Sequence, residues 1–151
     1  MLRARLNDEL KAAMKAKDQR ATATLRLILA ALKDRDIAAR ERGITDGIGE
    51  AEIVEMMQKM VRQRRESMEL YEKGGRPELA RQEAEEIAII ERFLPKQLSE
   101  AEMEEAVAKT IAEVGATSIK DMGKVMGALK SAYAGRMDFG KAGALVKQKL
   151  G

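Results

Sequence analysis

Three sets of side chains in this sequence have types and spacing that chemistry could use. The first is basic and lies near the C-terminus: Lys120, Lys124, Lys130, Arg136 and Lys141, interspersed with Gly123 and Gly127. Ammonium and guanidinium groups around glycines, which let a ligand approach the backbone, suit phosphate or ribose binding rather than bond-making. The second set is Glu83, Glu86 and Glu91, carboxylates of the kind that hold paired metals in helical bundles when histidines accompany them. The chain has no histidine, so solvated pairing with Arg76, Arg81 and Arg92 is the stronger expectation for them. The third set is Ser67, Ser99, Ser118 and Ser131, isolated from one another and without a general base. No GxxxxGK[ST] loop is present. These residue types point to binding, with no catalytic site, metal or cofactor expected.

The basic set must be positioned by two short helices and a turn within residues 117–150. Met122, Val125, Met126, Leu129 and Tyr133 recur at helical spacing and face a core, leaving Lys120, Lys124, Gly127 and Ser131 on a flat basic outer side. Gly135 suits a left-handed turn, and Asp138 caps the second helix, whose stripe is Phe139, Ala142, Val146 and Leu150. Lys141, Lys147 and Lys149 lie off that stripe. A glycine inside a helix costs about 1 kcal/mol against alanine, so Gly123 and Gly127 need a reason. Either another helix packs into a small-residue groove or a phosphate or ribose comes close; helix geometry alone favours packing.

The remaining elements are also helical. Charged residues make up 35% of the 151 and aromatics only 3%, with ten Met and two Pro, a composition for helix bundles without strands. Leu2, Leu6, Leu10 and Met14 make residues 2–16 amphipathic, and Asp18 caps a helix carrying Leu25, Ile28, Leu29 and Leu32. The chain turns at 43–49, GITDGIG. A third helix, about 50–73, buries Ile53, Met57, Met60, Val61, Met68 and Tyr71 and carries Arg62, Arg64 and Arg65. Pro77 opens a fourth, with Leu79, Ile87, Ile90 and Leu94, that Pro95 ends. Ser99 and Glu102 form a capping box for a fifth, with Met103, Val107 and Ile111, that stops at Gly115. The expected fold is all-α: an N-terminal helical bundle over 1–94 and a small three-helix domain over 95–151.

Net charge is only +3, but its distribution is uneven. From Lys120 onward seven basic residues stand against two acidic ones, whereas residues 96–119 hold two basic and five acidic. Such a domain can orient itself on a polyanion. There is no cysteine, no apolar signal-peptide centre and no run long enough to span a membrane, so the expected location is cytoplasmic, without membrane contact.

Several segments together carry a family resemblance: Lys73, Gly74, Gly75, Arg76; then Phe93, Leu94, Pro95, Gln97, Leu98, Ser99; then Met122, Gly123, Val125, Met126, Gly127, Leu129, Gly135, Asp138 and Val146. In this order and spacing they closely resemble the GatB/YqeY family of small bacterial proteins, over essentially the whole chain. The resemblance implies an all-helical fold whose C-terminal part is similar to the tail of the B subunit of glutamine-dependent aspartyl/glutamyl-tRNA amidotransferase. That tail touches tRNA and does not perform the chemistry, and a related module accompanies some glutaminyl-tRNA synthetases. What it implies here is a non-catalytic accessory protein that binds tRNA or belongs to amidotransferase biology. Lys120, Gly123, Lys124, Gly127, Lys130, Arg136 and Lys141 would contact folded RNA. The alternative is a helical adaptor for an aminoacyl-tRNA synthetase or amidotransferase subunit, motivated by the Arg62, Arg64, Arg65 cluster and the acidic fourth helix. The family name also links the chain to carbon–nitrogen ligases, although neither a glutaminase nor a kinase site is visible in it.

Overall fold

Each helix begins and ends where local chemistry requires. The computed structural model describes every residue from Met1 to Gly151, and its regular structure is helical with no strand. Helix α1 (Leu2–Lys15) stops at Lys17, whose φ of 56° is left-handed; Lys17 and Asp18 donate back to the carbonyls of Met14 and Ala13. Asp18 then accepts from the Ala21 N–H at 3.1 Å to open α2 (Gln19–Ala39). A 3-10 turn at Arg40–Arg42 ends on left-handed Gly43, and α3 (Glu50–Lys73) ends at Gly74 and Gly75. Pro77 occupies the first turn of α4 (Pro77–Glu91), where its missing N–H has no helical partner to lose. Ser99 and Glu102 exchange the reciprocal bonds of a capping box, 3.1 and 3.0 Å, at the start of α5 (Glu100–Val114). A 3-10 turn at Ile119–Asp121 leads into α6 (Met122–Ala132), and Asp138 caps α7 (Phe139–Leu150).

The chain divides into two compact units, Met1–Leu94 and Pro95–Gly151, each with its own core. In the first, Leu6, Ile28, Ile53, Met56, Met57 and Ile90 are fully buried, and α3 and α4 form the most extensive helix pair. Some apolar stripe residues reach less deeply than periodicity predicts. Leu10, Leu29 and Met68 are half-buried at the core edge, and Met14 is exposed, its sulfur accepting from Arg26 at 3.5 Å. Periodicity marks a direction around the helix, and the ends of that arc lie at the rim of the bundle.

The glycine-rich loop at 43–49 is held by one charged latch. Arg3 donates to both carboxylate oxygens of Asp36, at 2.6 and 3.1 Å, and to the Ile48 carbonyl at 3.0 Å. Asp36 in turn accepts from the Ile48 N–H at 2.9 Å, seating the Ile48 side chain in the core. Gly47 has a φ of +90°, and a Cβ there would lie 2.6 Å from the Arg3 guanidinium, so any other residue would strain the backbone and push the latch aside.

The Arg3 hydrogen bond holds the Asp36 carboxyl below the usual carboxylate range, opposed in part by burial and aided by the Ile48 N–H. Asp36→Asn is expected to destabilise the first unit by about 1–3 kcal/mol in urea unfolding near neutral pH. A depressed folded pKa means the stabilisation is complete above the unfolded value and is lost as pH falls through the folded one. The difference between wild type and variant should therefore shrink as pH drops below about 4. A difference that stays constant into that range would contradict the latch.

Candidate nucleic-acid interface

The exposed face of α6 is set by what the helix buries. Val125 and Leu129 are 0% exposed, with Met122, Met126 and Tyr133 packed beside them. At about 100° per residue, Lys120, Gly123, Lys124, Gly127 and Ser131 project to the opposite side, with Lys130 at its edge. All six are exposed. Gly123 and Gly127 thus form a floor between Lys120 and Lys124 on one side and Lys130 on the other. The leading turn is anchored by Asp121, whose carboxylate accepts from the Thr117 N–H at 3.0 Å. That bond, then one from Ser118 and the charge of Lys124, hold its carboxyl below the ordinary range.

Packing by another helix, the explanation favoured from sequence for Gly123 and Gly127, is not what these glycines do. A Cβ built on either would meet nothing within 4 Å. The packing glycine is Gly143 on α7, where a Cβ would lie 3.6 Å from the Met122 methyl and 3.8 Å from that of Met126. Its position beside Ala142 and Val146 on the buried stripe of α7 was the available signal.

The other basic residues do not share the α6 face. Arg136 is half-buried and holds the segment after Pro95: its Nε donates to the Lys96 carbonyl at 3.1 Å, and its own carbonyl accepts from Leu98 at 2.9 Å. Gln97 completes that clasp by donating to the Gly135 carbonyl at 2.6 Å. Lys141 is exposed in the first turn of α7, its backbone N–H turned to Asp138 at 3.4 Å. Lys147 and Lys149 project about 160° apart around α7 and form no common patch with each other. Met137, buried at 1%, is a core residue that helical periodicity missed because it lies in the turn between α6 and α7.

Glu86 and Glu91 of the acidic set, and Ser67 and Ser99 of the serine set, have structural partners. Glu86 pairs with Arg64 at 3.0 Å and Arg20 at 3.7 Å, Glu91 with Arg65 at 3.6 Å, and Glu85 with Arg20 at 3.1 Å. These replace the expected pairings with Arg76, Arg81 and Arg92, because α4 turns its acidic edge to α2 and α3. Burial, and then the charge of Glu86, push the Glu83 carboxyl up, with Arg64 opposing. Arg64 and Arg65 of the cluster that motivated an adaptor thus pair with the acidic helix within the bundle. Ser99 caps α5, and the Ser67 hydroxyl donates to the Gln63 carbonyl at 3.2 Å.

The family described as Yqey-like protein matches residues 3–150. The chain belongs to that family. Among its relatives is the Altered inheritance of mitochondria protein 41, mitochondrial, of Lachancea thermotolerans, 32% identical over 113 residues, 74% of this chain and 58% of that protein. The proteins of the same name from Eremothecium gossypii and Kluyveromyces lactis are 33% and 30% identical, each over 60% of this chain and over 48% and 46% of theirs. The chain spans about half the length of these curated relatives.

The family's relatives correct the expected location. All three are named as mitochondrial, which conflicts with a purely cytoplasmic protein. The expectation rested on missing cysteines and apolar runs, features that record how a domain is stabilised and do not tell one reducing compartment from another. No helix is long and apolar enough to cross a membrane.

Because nothing in the chain occupies the space above Gly123 and Gly127, replacing each with Ala is expected to stabilise the second unit by about 0.5–1 kcal/mol, read from thermal or urea unfolding. Loss of stability on either substitution would show that the backbone there is packed after all.

Proposed function

We propose that this chain is a non-catalytic accessory protein that binds folded tRNA through the outer face of α6. The observation that supports this most directly is that Gly123 and Gly127 are solvent-exposed in a helix that gains nothing internally from them, and that Lys120, Lys124 and Lys130 border them. Bare Cα positions let a sugar–phosphate edge come closer than any side chain would allow, while the ammoniums displace counterions from neighbouring phosphates. A shallow surface of this kind suits the wide minor groove and phosphate ridges of an A-form helix. With two Tyr, two Phe and no Trp in the chain, base stacking contributes little, so recognition depends on RNA shape. Arg136 acts by positioning the segment after Pro95, and Lys141 adds charge from α7. Membership of the Yqey-like family and the resemblance of its C-terminal part to an amidotransferase tail agree with this role, as does the absence of any histidine to assist a serine nucleophile.

The test is a titration of the full chain with total tRNA and with an RNA duplex of similar charge, each at two salt concentrations. Tighter binding to tRNA that survives added salt is expected. Lys120→Ala, Lys124→Ala and Lys130→Ala combined should weaken binding about ten-fold or more and reduce the salt slope by about 3. An unchanged isotherm in the triple variant would sink the proposal.

A further inference from the structure

Helix α2 is apolar on two sides, and only one of them is covered. Leu25, Ile28 and Leu32 are buried in the bundle. On the far side Ala23, Leu27, Ala30 and Ile37 are exposed, Leu27 by 49% and Ile37 by 48%. Ala23, Leu27, Ala30, Asp34 and Ile37 alternate four and three residues apart, the phase that keeps one seam of a helix against another helix. One edge of the seam is basic throughout: Arg26, Lys33 and Arg40, each exposed, recur every seven residues. The opposite edge carries exposed Ala38, small enough to let a second backbone close in, and Ala31, half-buried against the bundle's own core. Met14 of α1, 44% exposed and in contact with Arg26, widens the apolar surface.

We propose that this face docks an amphipathic α-helix of another protein, with an apolar stripe laid along Ala23, Leu27, Ala30 and Ile37 and a row of Asp or Glu facing Arg26, Lys33 and Arg40. The seam is about 21 Å long, four turns of helix. A second copy of the chain fits poorly. Antiparallel pairing of α2 with itself sets the two basic rows against each other, and parallel pairing sets them against Ala31 and Ala38, which offer no charge. The chain cannot supply the occupant from α4 or α5, its acidic helices. Ile87 and Ile90 of the one, and Met103, Ala106 and Val107 of the other, are already buried in their own cores. Asp34 within the seam favours a partner that places a Lys, Arg or Asn opposite it.

The test uses the full chain and two synthetic helical peptides about three heptads long, identical in their leucine stripe but flanked by Glu in one and by Lys in the other. Fluorescence anisotropy at low salt is expected to show the Glu peptide bound about ten-fold or more tightly than the Lys peptide. Arg26→Glu, Lys33→Glu and Arg40→Glu together should invert that preference, and Leu27→Asp with Ile37→Asp should abolish binding of both. All five positions are exposed, so unchanged circular dichroism is expected, with a slightly lower melting temperature only where Arg40→Glu brings a like charge toward Asp36. Equal binding of the two peptides, binding of neither, or binding that survives Leu27→Asp with Ile37→Asp overturns the proposal. Self-association of the free chain that the same double variant abolishes would assign the face to a second copy. Loss of tRNA binding in the charge-reversed variant, with the α6 lysines intact, would assign it to RNA.

Discussion

The burial of Val125 and Leu129 fixes the rotation of α6, and everything the C-terminal unit offers to solvent follows from it. A helix of three turns has few side chains with which to hold its orientation. Those two lie wholly inside, Gly143 lets the methyls of Met122 and Met126 settle against α7, and Asp121 ties the leading turn to Thr117. Rotating α6 by a third of a turn would bury Lys130 and expose Val125, which neither side chain tolerates. The glycine floor and its lysine margins are therefore as well determined as the core beneath them.

The N-terminal unit solves a different problem with the same materials. Its helices carry many charges near one another, and the bundle matches them in pairs: Arg3 with Asp36, Arg64 and Arg20 with Glu86, Arg65 with Glu91. An exposed pair such as Arg65–Glu91 contributes little, whereas Arg64 and Glu86 lie largely buried together. The Arg3–Asp36 pair differs because it also satisfies the Ile48 backbone, so a loop with three glycines keeps one conformation. The apolar seam of α2 and its basic edge stay exposed on this unit, a surface different in character from that of α6.

Much of this was readable before any coordinates. Apolar spacing at 3.6 residues located all seven helices, and the Ser99 and Glu102 box, the Asp18 and Asp138 caps and the glycine stops marked their ends, because capping is a matter between neighbours in sequence. The exposure of Lys120, Lys124 and Gly127 also followed from phase alone. What could not be read is which element each helix meets. Helix geometry favours packing for Gly123 and Gly127 although Gly143 does that work, and neighbours in sequence offer Glu83, Glu86 and Glu91 the guanidiniums of Arg76, Arg81 and Arg92 although α3 and α2 supply Arg64, Arg65 and Arg20 to Glu86 and Glu91. Arg136 likewise reads as a free cation in sequence, since its bond to the Lys96 carbonyl joins residues 40 apart. Leu27 and Ile37 fell outside the core stripe and drew no attention, because periodicity scores the covered face and ignores a second one.

In the proposed complex, RNA meets the chain at the bare backbone of α6. Backbone amide NMR of the full chain during titration with total tRNA tests this contact directly. The amides of Gly123, Lys124 and Gly127 are expected to shift or broaden first, with the changes confined to α6 and the turn before it. Shifts centred on α2 or α7, with Gly123 and Gly127 unmoved at saturation, would contradict it.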